Sequence, residues 1–288
     1  MHLRYSDRLP HQPSLEKDMS ARYSSISVIS GMNNPAELNT TLKKLHRADA
    51  ESIVAGRNIT AGHTRGWCLE YGALIESIKN DEVYRESLEL ALGRTILAEH
   101  KLMNLFLIMK FGLEGITGDF LEFGSYKGGS AIFIANVARR LQLPGTVYAF
   151  DTFAGMPKTD EVLDLHKLGD FSDTNFDDLA AYVHELGLSN LKLVKGLFSD
   201  TAPQVLKSVN AIALAHIDCD IHDAVKYCLD AVQPKMHPKG GYITLDDPLH
   251  GSCLGALQAV EDWIIRENLR AEQAYPHLVY RYPTLSPG

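Results

Sequence analysis

Four carboxylates in two short stretches are the residues most able to do chemistry. Asp218 and Asp220 close the segment LAHIDCD (residues 214–220), and Asp246 and Asp247 close GGYITLDD (residues 240–247). Each segment starts as an apolar run of strand length and ends in acids, the pattern of a buried strand reaching the rim of a sheet. In open α/β sheets, ligands gather beyond the carboxyl ends of the strands. Four anions meeting there repel one another and resist ionising. A hard divalent cation with oxygen ligands relieves that repulsion. The rest of the chain reads as a frame that brings a cofactor and a hydroxyl substrate to this acidic rim.

The frame must be α/β, because strand-length apolar runs alternate with helical stretches from Gly118 onward. GDFLEF, TVYAFD, LKLVKG, AIALAHID and GGYITLDD are expected strands, with a last one over Tyr275–Tyr282. The intervening helices are expected from the glycines at 128 and 129 to Leu143, over Phe176–Leu186, from Pro203, over Asp223–Ala231 and over Ser252–Asn268. Upstream, the polar residues 1–34 read as an arm. A helical extension over 35–117 follows: Pro35–Asp49 capped by Asn34, Thr64–Lys79, and a long stretch over Asp81–Phe111 broken near Gly93. The extension is expected to cover the cofactor, shape an acceptor pocket or form a dimer surface. Residues 118–288 are the expected cofactor-binding domain.

Composition excludes several classes of function. The 288 residues carry a net charge of −8, and 45% are hydrophobic. That balance argues against nucleic-acid binding, which calls for a basic face. No apolar run approaches the roughly 18 residues of a membrane span. The opening MHLRYSDRLPHQPSLEKD lacks the apolar core of a secretory signal. Cys68, Cys219, Cys228 and Cys253 lie singly, without metal-site spacing, as reduced thiols of a cytoplasmic protein would.

The first βα turn, Glu122 to Ser130 (EFGSYKGGS), places Gly124, Gly128 and Gly129 between a strand and a helix. Such glycines let the backbone approach a ligand, but their spacing departs from the dinucleotide pattern GxGxxG. Glu122 would repel a pyrophosphate and suits an amino group. Asp151, ending the second strand, is placed to accept hydrogen bonds from ribose hydroxyls. Together they describe a site for a nucleoside with an amino-acid tail, and S-adenosylmethionine (SAM) fits better than NAD.

Five motifs, GDFLEFGSYKGGS (118–130), DTFAGMP (151–157), GLFSDT (196–201), DCD (218–220) and GGYITLDD (240–247), occur in the order seen in the macrocin O-methyltransferase family, which this chain resembles over about 118–268. The resemblance implies a Rossmann-like class I methyltransferase fold with a mostly parallel sheet. It implies SAM as methyl donor, S-adenosylhomocysteine as product, magnesium, and methylation of a sugar hydroxyl on a small molecule by a homodimer or larger homo-oligomer. Carried over, Asp218, Asp246 and Asp247 match metal ligands, with Asp218 also beside the cofactor, and Asp220 matches the general base. Glu122, Gly124, Ser125, Tyr126, Gly128 and Ser130 fall at the methionine end, Asp151 at the ribose, and Phe153, Gly196 and Phe198 around the nucleoside.

Three departures bear on the acceptor and the closing strands. His222 stands where the family usually has Tyr, Pro248 where it often has an aromatic residue, and the chain after Asn268 is short for two closing strands. His222 and His250 are each candidates to bind substrate, ligate metal or assist proton transfer, with His222 the candidate second catalytic residue, whereas His216 reads as core. A phenol or modified amino acid is the alternative acceptor. A metal-dependent glycosyltransferase using the DCD, and a non-catalytic scaffold, are more distant readings. The long acidic loop over 157–175 is an expected lid.

Overall fold

The computed structural model describes residues 53–54, 57–58 and 73–283. By compactness the chain divides into Met1–Glu70 and Tyr71–Gly288. In the first unit Ile53–Val54 and Arg57–Asn58 pair as an antiparallel ribbon. The expected arm, the helix over Pro35–Asp49, Cys68 and most of the helix over Thr64–Lys79 lie outside the described residues.

The second unit is built on six strands: β1 (Asp119–Phe123), β2 (Val147–Asp151), β3 (Leu191–Lys195), β4 (Ile212–Ile217), β5 (Gly241–Leu245) and β6 (Leu278–Tyr282). Their order is β3-β2-β1-β4-β5-β6. The first five run parallel, and β6 returns antiparallel against β5. All of β4 and β5 is buried, as expected of central strands covered on both faces. Ala213 is skipped in the β1–β4 register, where Asp119 meets Ile212 and Phe120 meets Leu214. This bulge resets the alternation of faces.

One face is covered by α1 (Ala73–Asn80), α2 (Glu82–Ala91), α3 (Glu99–Leu107), α4 (Gly129–Arg140) and α5 (Phe176–Glu185). Their buried residues, among them Tyr84, Phe106, Phe133 and Leu179, pack with Phe120, Val147 and Ala149 of the sheet. Asp81 caps α2, its carboxylate accepting from the Val83 N–H at 3.0 Å and the Tyr84 N–H at 3.3 Å. The expected break falls at Gly93, in the left-handed region (φ 75°), between α2 and α3. A π-helical turn over Ile108–Gly112 extends α3. The other face carries α6 (Phe198–Ser208), α7 (His222–Val232) and α8 (Leu254–Glu267), whose Val225, Leu229, Val260 and Trp263 meet Leu121, Phe123, Phe150 and Ile243.

The expectation that Pro203 opens its helix is corrected: α6 begins five residues earlier, at Phe198. Pro203 removes one N–H from the ladder, but local packing outweighs that loss. Phe198 lies edge-on to Phe123 at 5.4 Å, Ala202 is fully buried, and the Thr201 hydroxyl donates to the Leu197 carbonyl at 2.9 Å. Cys219, Cys228 and Cys253 are buried free thiols, and His216 is core, as expected. Among the described residues no helix is long and apolar enough to cross a membrane.

The tightest backbone approach is where β1 and β4 end side by side. Gly124 has φ 90°, and a Cβ there would sit 1.6 Å from the Asp218 carbonyl oxygen. Backbone cannot yield as a flexible side-chain tip can. Gly124→Ala is therefore expected to cost about 3 kcal/mol or more, read as a lowered urea midpoint. An unchanged midpoint would show that the two strand ends do not meet this closely.

Candidate active site

The chain runs from β1 outward to β2, then crosses back to place β4 on the other side of β1. Ligands of open α/β sheets bind at such a reversal. A cavity of about 760 Å³ opens there, within the range of about 300–1,000 Å³ for small-molecule sites. One wall holds Gly124, Ser125, Tyr126, Ser130 and Asp151, and another holds Asp218, Asp220, Asp246 and Asp247. Ile96, Leu97, Met156, Leu197, Leu249 and Tyr275 supply apolar surface.

The four acids converge as their strand-end positions suggest. Asp218, Asp246 and Asp247 each offer a carboxylate oxygen within 4.8 Å of the others, a hard-donor set able to hold a cation. Burial, then repulsion from the neighbouring carboxylates, raises the pKa of Asp218 and Asp247 well above the usual range. Asp246 behaves oppositely. Burial raises its pKa too, but His277 and Lys101 outweigh that and hold it well below the usual range. His277 Nε2 lies 3.0 Å from Asp246 Oδ1, and Lys101 Nζ lies 2.5 Å from Oδ2. His277 is held from behind by Asn104, which accepts from Gln273 at 2.8 Å.

Asp220 stands apart from that trio in conformation. It has φ 60°, uncommon for a non-glycine residue and a form of strain that clusters at functional sites. Its N–H donates to Asp247 Oδ2 at 2.8 Å, and the Cys253 thiol donates to its Oδ1 at 3.4 Å. His166 Nε2 approaches that oxygen at 3.7 Å. Burial is the main cause raising the Asp220 pKa, and His166 opposes it. His166 belongs to the acidic loop, which is fastened at several points. The His222 N–H donates to Asp164 Oδ1 at 2.9 Å, the Tyr126 hydroxyl donates to Asp173 at 2.7 Å, and the Phe171 ring meets Tyr126 edge-on at 5.7 Å.

At the other wall Asp151 ties two turns together. Its Oδ1 accepts from the Phe153 N–H at 2.7 Å and its Oδ2 from the Tyr126 N–H at 2.8 Å. The Thr152 hydroxyl reaches Oδ1 as well, at 3.5 Å. Burial raises its pKa against those bonds.

Not every expected residue reaches the cavity. Glu122 is fully buried one layer behind it, with no full hydrogen bond to either carboxylate oxygen. Burial pushes its pKa up to about 7, tempered by the nearby Ser130 and Ser125 hydroxyls, which do face the cavity. Gly128 and Gly196 support the turns, and Phe153 packs on Phe176, all behind the wall, whereas Phe198 lines it. The His222 imidazole is outside the cavity, 2.8 Å from Asp223 Oδ1. His250 is at the rim, 2.7 Å from the Ser252 hydroxyl.

Comparison with known sequences settles the family. The model of the Macrocin-O-methyltransferase (TylF) family matches residues 80–273, more than half of the chain. The chain belongs to the macrocin O-methyltransferase family. It is 26% identical over 215 residues to mycinamicin III 3''-O-methyltransferase of Micromonospora griseorubida, covering 70% of this chain and 82% of that enzyme. It is 27% identical over 154 residues, half of this chain, to 8-demethyl-8-(2,3-dimethoxy-alpha-L-rhamnosyl)-tetracenomycin-C 4'-O-methyltransferase of Streptomyces olivaceus, and the match spans 58% of that relative's length. Two solved structures share the fold: the O-methyltransferase NovP (TM-score 0.58, 19% identity, 73% of this chain and 93% of that one) and the calicheamicin methyltransferase CalS11 (TM-score 0.57, 19% identity, 81% and 100%). The Rossmann-like class I methyltransferase fold expected from the motifs is the fold this family member has.

Lys101, His166, Cys253 and His277 join the acids although sequence reasoning passed them over. Lys101 and His166 carried no local signal, being single polar residues in a helix and a loop. The placement of His277 ahead of the apolar run LVY in the final strand was the one available hint.

The Glu122 environment predicts a pH signature. Its folded pKa, about 7, lies above the ordinary 4.5. Below 4.5 both states hold the proton and the residue is neutral to stability. As pH rises from 4.5 to about 7 the unfolded chain releases its proton while the folded one keeps it, and stability falls by on the order of 3 kcal/mol before levelling off above that. In denaturant melts across pH 4 to 8, Glu122→Gln should decline less than the wild type by that amount, the raised carboxylates Asp218 and Asp247 supplying what decline remains. A parallel decline in both proteins would remove Glu122 as its source.

Proposed function

We propose that the chain is a SAM-dependent, divalent-cation-dependent O-methyltransferase acting on a sugar hydroxyl of a glycosylated small molecule. The observation that carries this reading is the acid quartet meeting a nucleoside-type wall in one cavity at the strand reversal. Family membership and the sugar-methylating relatives support the acceptor class. Magnesium, by the family expectation, or another hard divalent cation would be held by Asp218, Asp246 and Asp247, where its charge would lower the pKa of the acceptor hydroxyl. SAM would supply the methyl group, its adenosine facing Asp151 and Phe198 and its methionine end facing Gly124, Ser125 and Ser130.

The chain's own residues do the rest. Asp220 takes the hydroxyl proton as the methyl transfers in line. Its backbone is pinned by Asp247 and its Oδ1 accepts from Cys253, so Oδ2 is the oxygen assigned to take the proton. Glu122 sets the charge behind Ser125 and Ser130, so a cationic amino group at that wall draws it toward its ionised form. His166 on the acidic loop closes over the base and keeps water from it. The apolar wall from Ile96 to Leu249 takes the non-sugar part of the acceptor. His222, turned to Asp223, steadies the start of α7 rather than the chemistry.

The test is to incubate the protein with SAM, magnesium and a panel of glycosides and to look by mass spectrometry for one added methyl group. Methylation that disappears with chelator and returns with magnesium supports the reading, and chelator-insensitive methylation would remove the cation from it. A phenolic or amino-acid acceptor turned over in preference to every glycoside would move the acceptor class. Asp220→Asn is expected to lower turnover roughly a hundredfold or more while calorimetry shows SAM bound as in the wild type. Retained turnover would exclude Asp220 as the base.

A further inference from the structure

Lys101 is the one lysine or arginine among the described residues ion-paired with the acid trio at hydrogen-bonding distance. It comes from α3, on the helical layer over the sheet, and it faces the cavity. Its ammonium lies 2.5 Å from Asp246 Oδ2 and 3.5 Å from the Asp246 carbonyl oxygen, and its charge also acts on Asp218 and Asp247. Its side chain is only 18% exposed and that of Asp246 only 7%, so this pair is poorly screened and much stronger than a surface ion pair.

Asp246 has two oxygens, and both are engaged. His277 takes Oδ1 from the buried side, backed by Asn104, and Lys101 takes Oδ2 from the cavity side. The cavity side is where Asp218 and Asp247 present their oxygens. A cation held by the three carboxylates would therefore lie within a few ångströms of the Lys101 ammonium. Two positive charges a few ångströms apart in a partly buried site repel strongly. The lysine stem has four flexible carbons and can withdraw along the cavity wall, whereas His277 is locked.

We propose that Lys101 is a resident counter-cation that competes with the divalent metal for Asp246, holding the quartet together when the metal is absent and lowering its affinity for metal. This rests on the metal reading above and adds to it a residue outside the ligand set that tunes metal affinity. By competition, removing the ammonium frees Oδ2, so the metal binds more tightly and stabilises the fold more.

Mn2+ binding, followed by electron paramagnetic resonance, is measured on the wild type and on Lys101→Met, which keeps the stem and loses the charge. The expected result is at least roughly tenfold tighter binding to the variant. Alongside it, the thermal midpoint of the variant should fall in chelator and recover with Mg2+ by more than the wild type gains. Equal or weaker Mn2+ binding to a folded variant overturns the proposal while leaving the metal reading intact. No Mn2+ binding by either protein overturns both. Should Lys101→Met not fold, the wild type decides. Acetylation of Lys101 by an amine-selective reagent, read by peptide mass spectrometry, is expected to rise severalfold when Mg2+ replaces chelator. Unchanged or reduced labelling overturns the competition.

Discussion

Crowded negative charge at the ends of β4 and β5 is the constraint on which the rest depends. Asp218, Asp220, Asp246 and Asp247 are brought together by parallel neighbours whose ends lie side by side, and burial strengthens their repulsion. The fold meets this in graded ways. Lys101 neutralises Asp246 and His277 hydrogen-bonds its other oxygen, the Asp220 N–H donates to Asp247, and Cys253 donates to Asp220. What remains uncompensated is an oxygen set suited to a hard cation. The cost in stability is local, because the strands that carry the acids are otherwise buried and, apart from the paired His216 and Thr244, apolar.

The helical layer before β1 belongs to this site as much as to the core. Lys101 comes from α3, and the Gly129 N–H donates to the Arg94 carbonyl at 3.0 Å, so the turn after α2 sits on the start of α4 beside the glycine turn. The acidic loop reaches the site from the opposite side, with Asp164 on the His222 N–H and His166 near Asp220. The acid quartet is thus flanked by two segments that a Rossmann-like sheet does not itself require, α3 at Asp246 and the acidic loop at Asp220.

Much of this was legible in the sequence where a rule acts locally. Period and length identified all five parallel strands. Glycines marked the β1 turn, and the acids lay at strand ends, where a parallel sheet must gather them. What escaped depends on three-dimensional neighbours. Pro203 looked like a helix start because local propensity says nothing of Phe198 packing on Phe123. Glu122 looked like a cofactor contact, but its place one residue before the end of β1 sets it behind Ser125 and Ser130. Lys101 and His277 are far from Asp246 in the chain, and no periodicity records a pairing of that range. The Tyr-to-His departure at His222 drew attention to a side chain that turns to Asp223 instead.

The central claim is that the two walls of one cavity serve a sulfonium nucleoside and a cation-assisted base. Calorimetric titration with S-adenosylhomocysteine, on the wild type and on Asp151→Ala, tests it most directly. The account predicts saturable binding to the wild type with a dissociation constant around 1 μM, or about 8 kcal/mol, and marked weakening in the variant. No binding to a folded wild type, or equal binding by both proteins, would contradict the assignment of Asp151 and its wall to the cofactor.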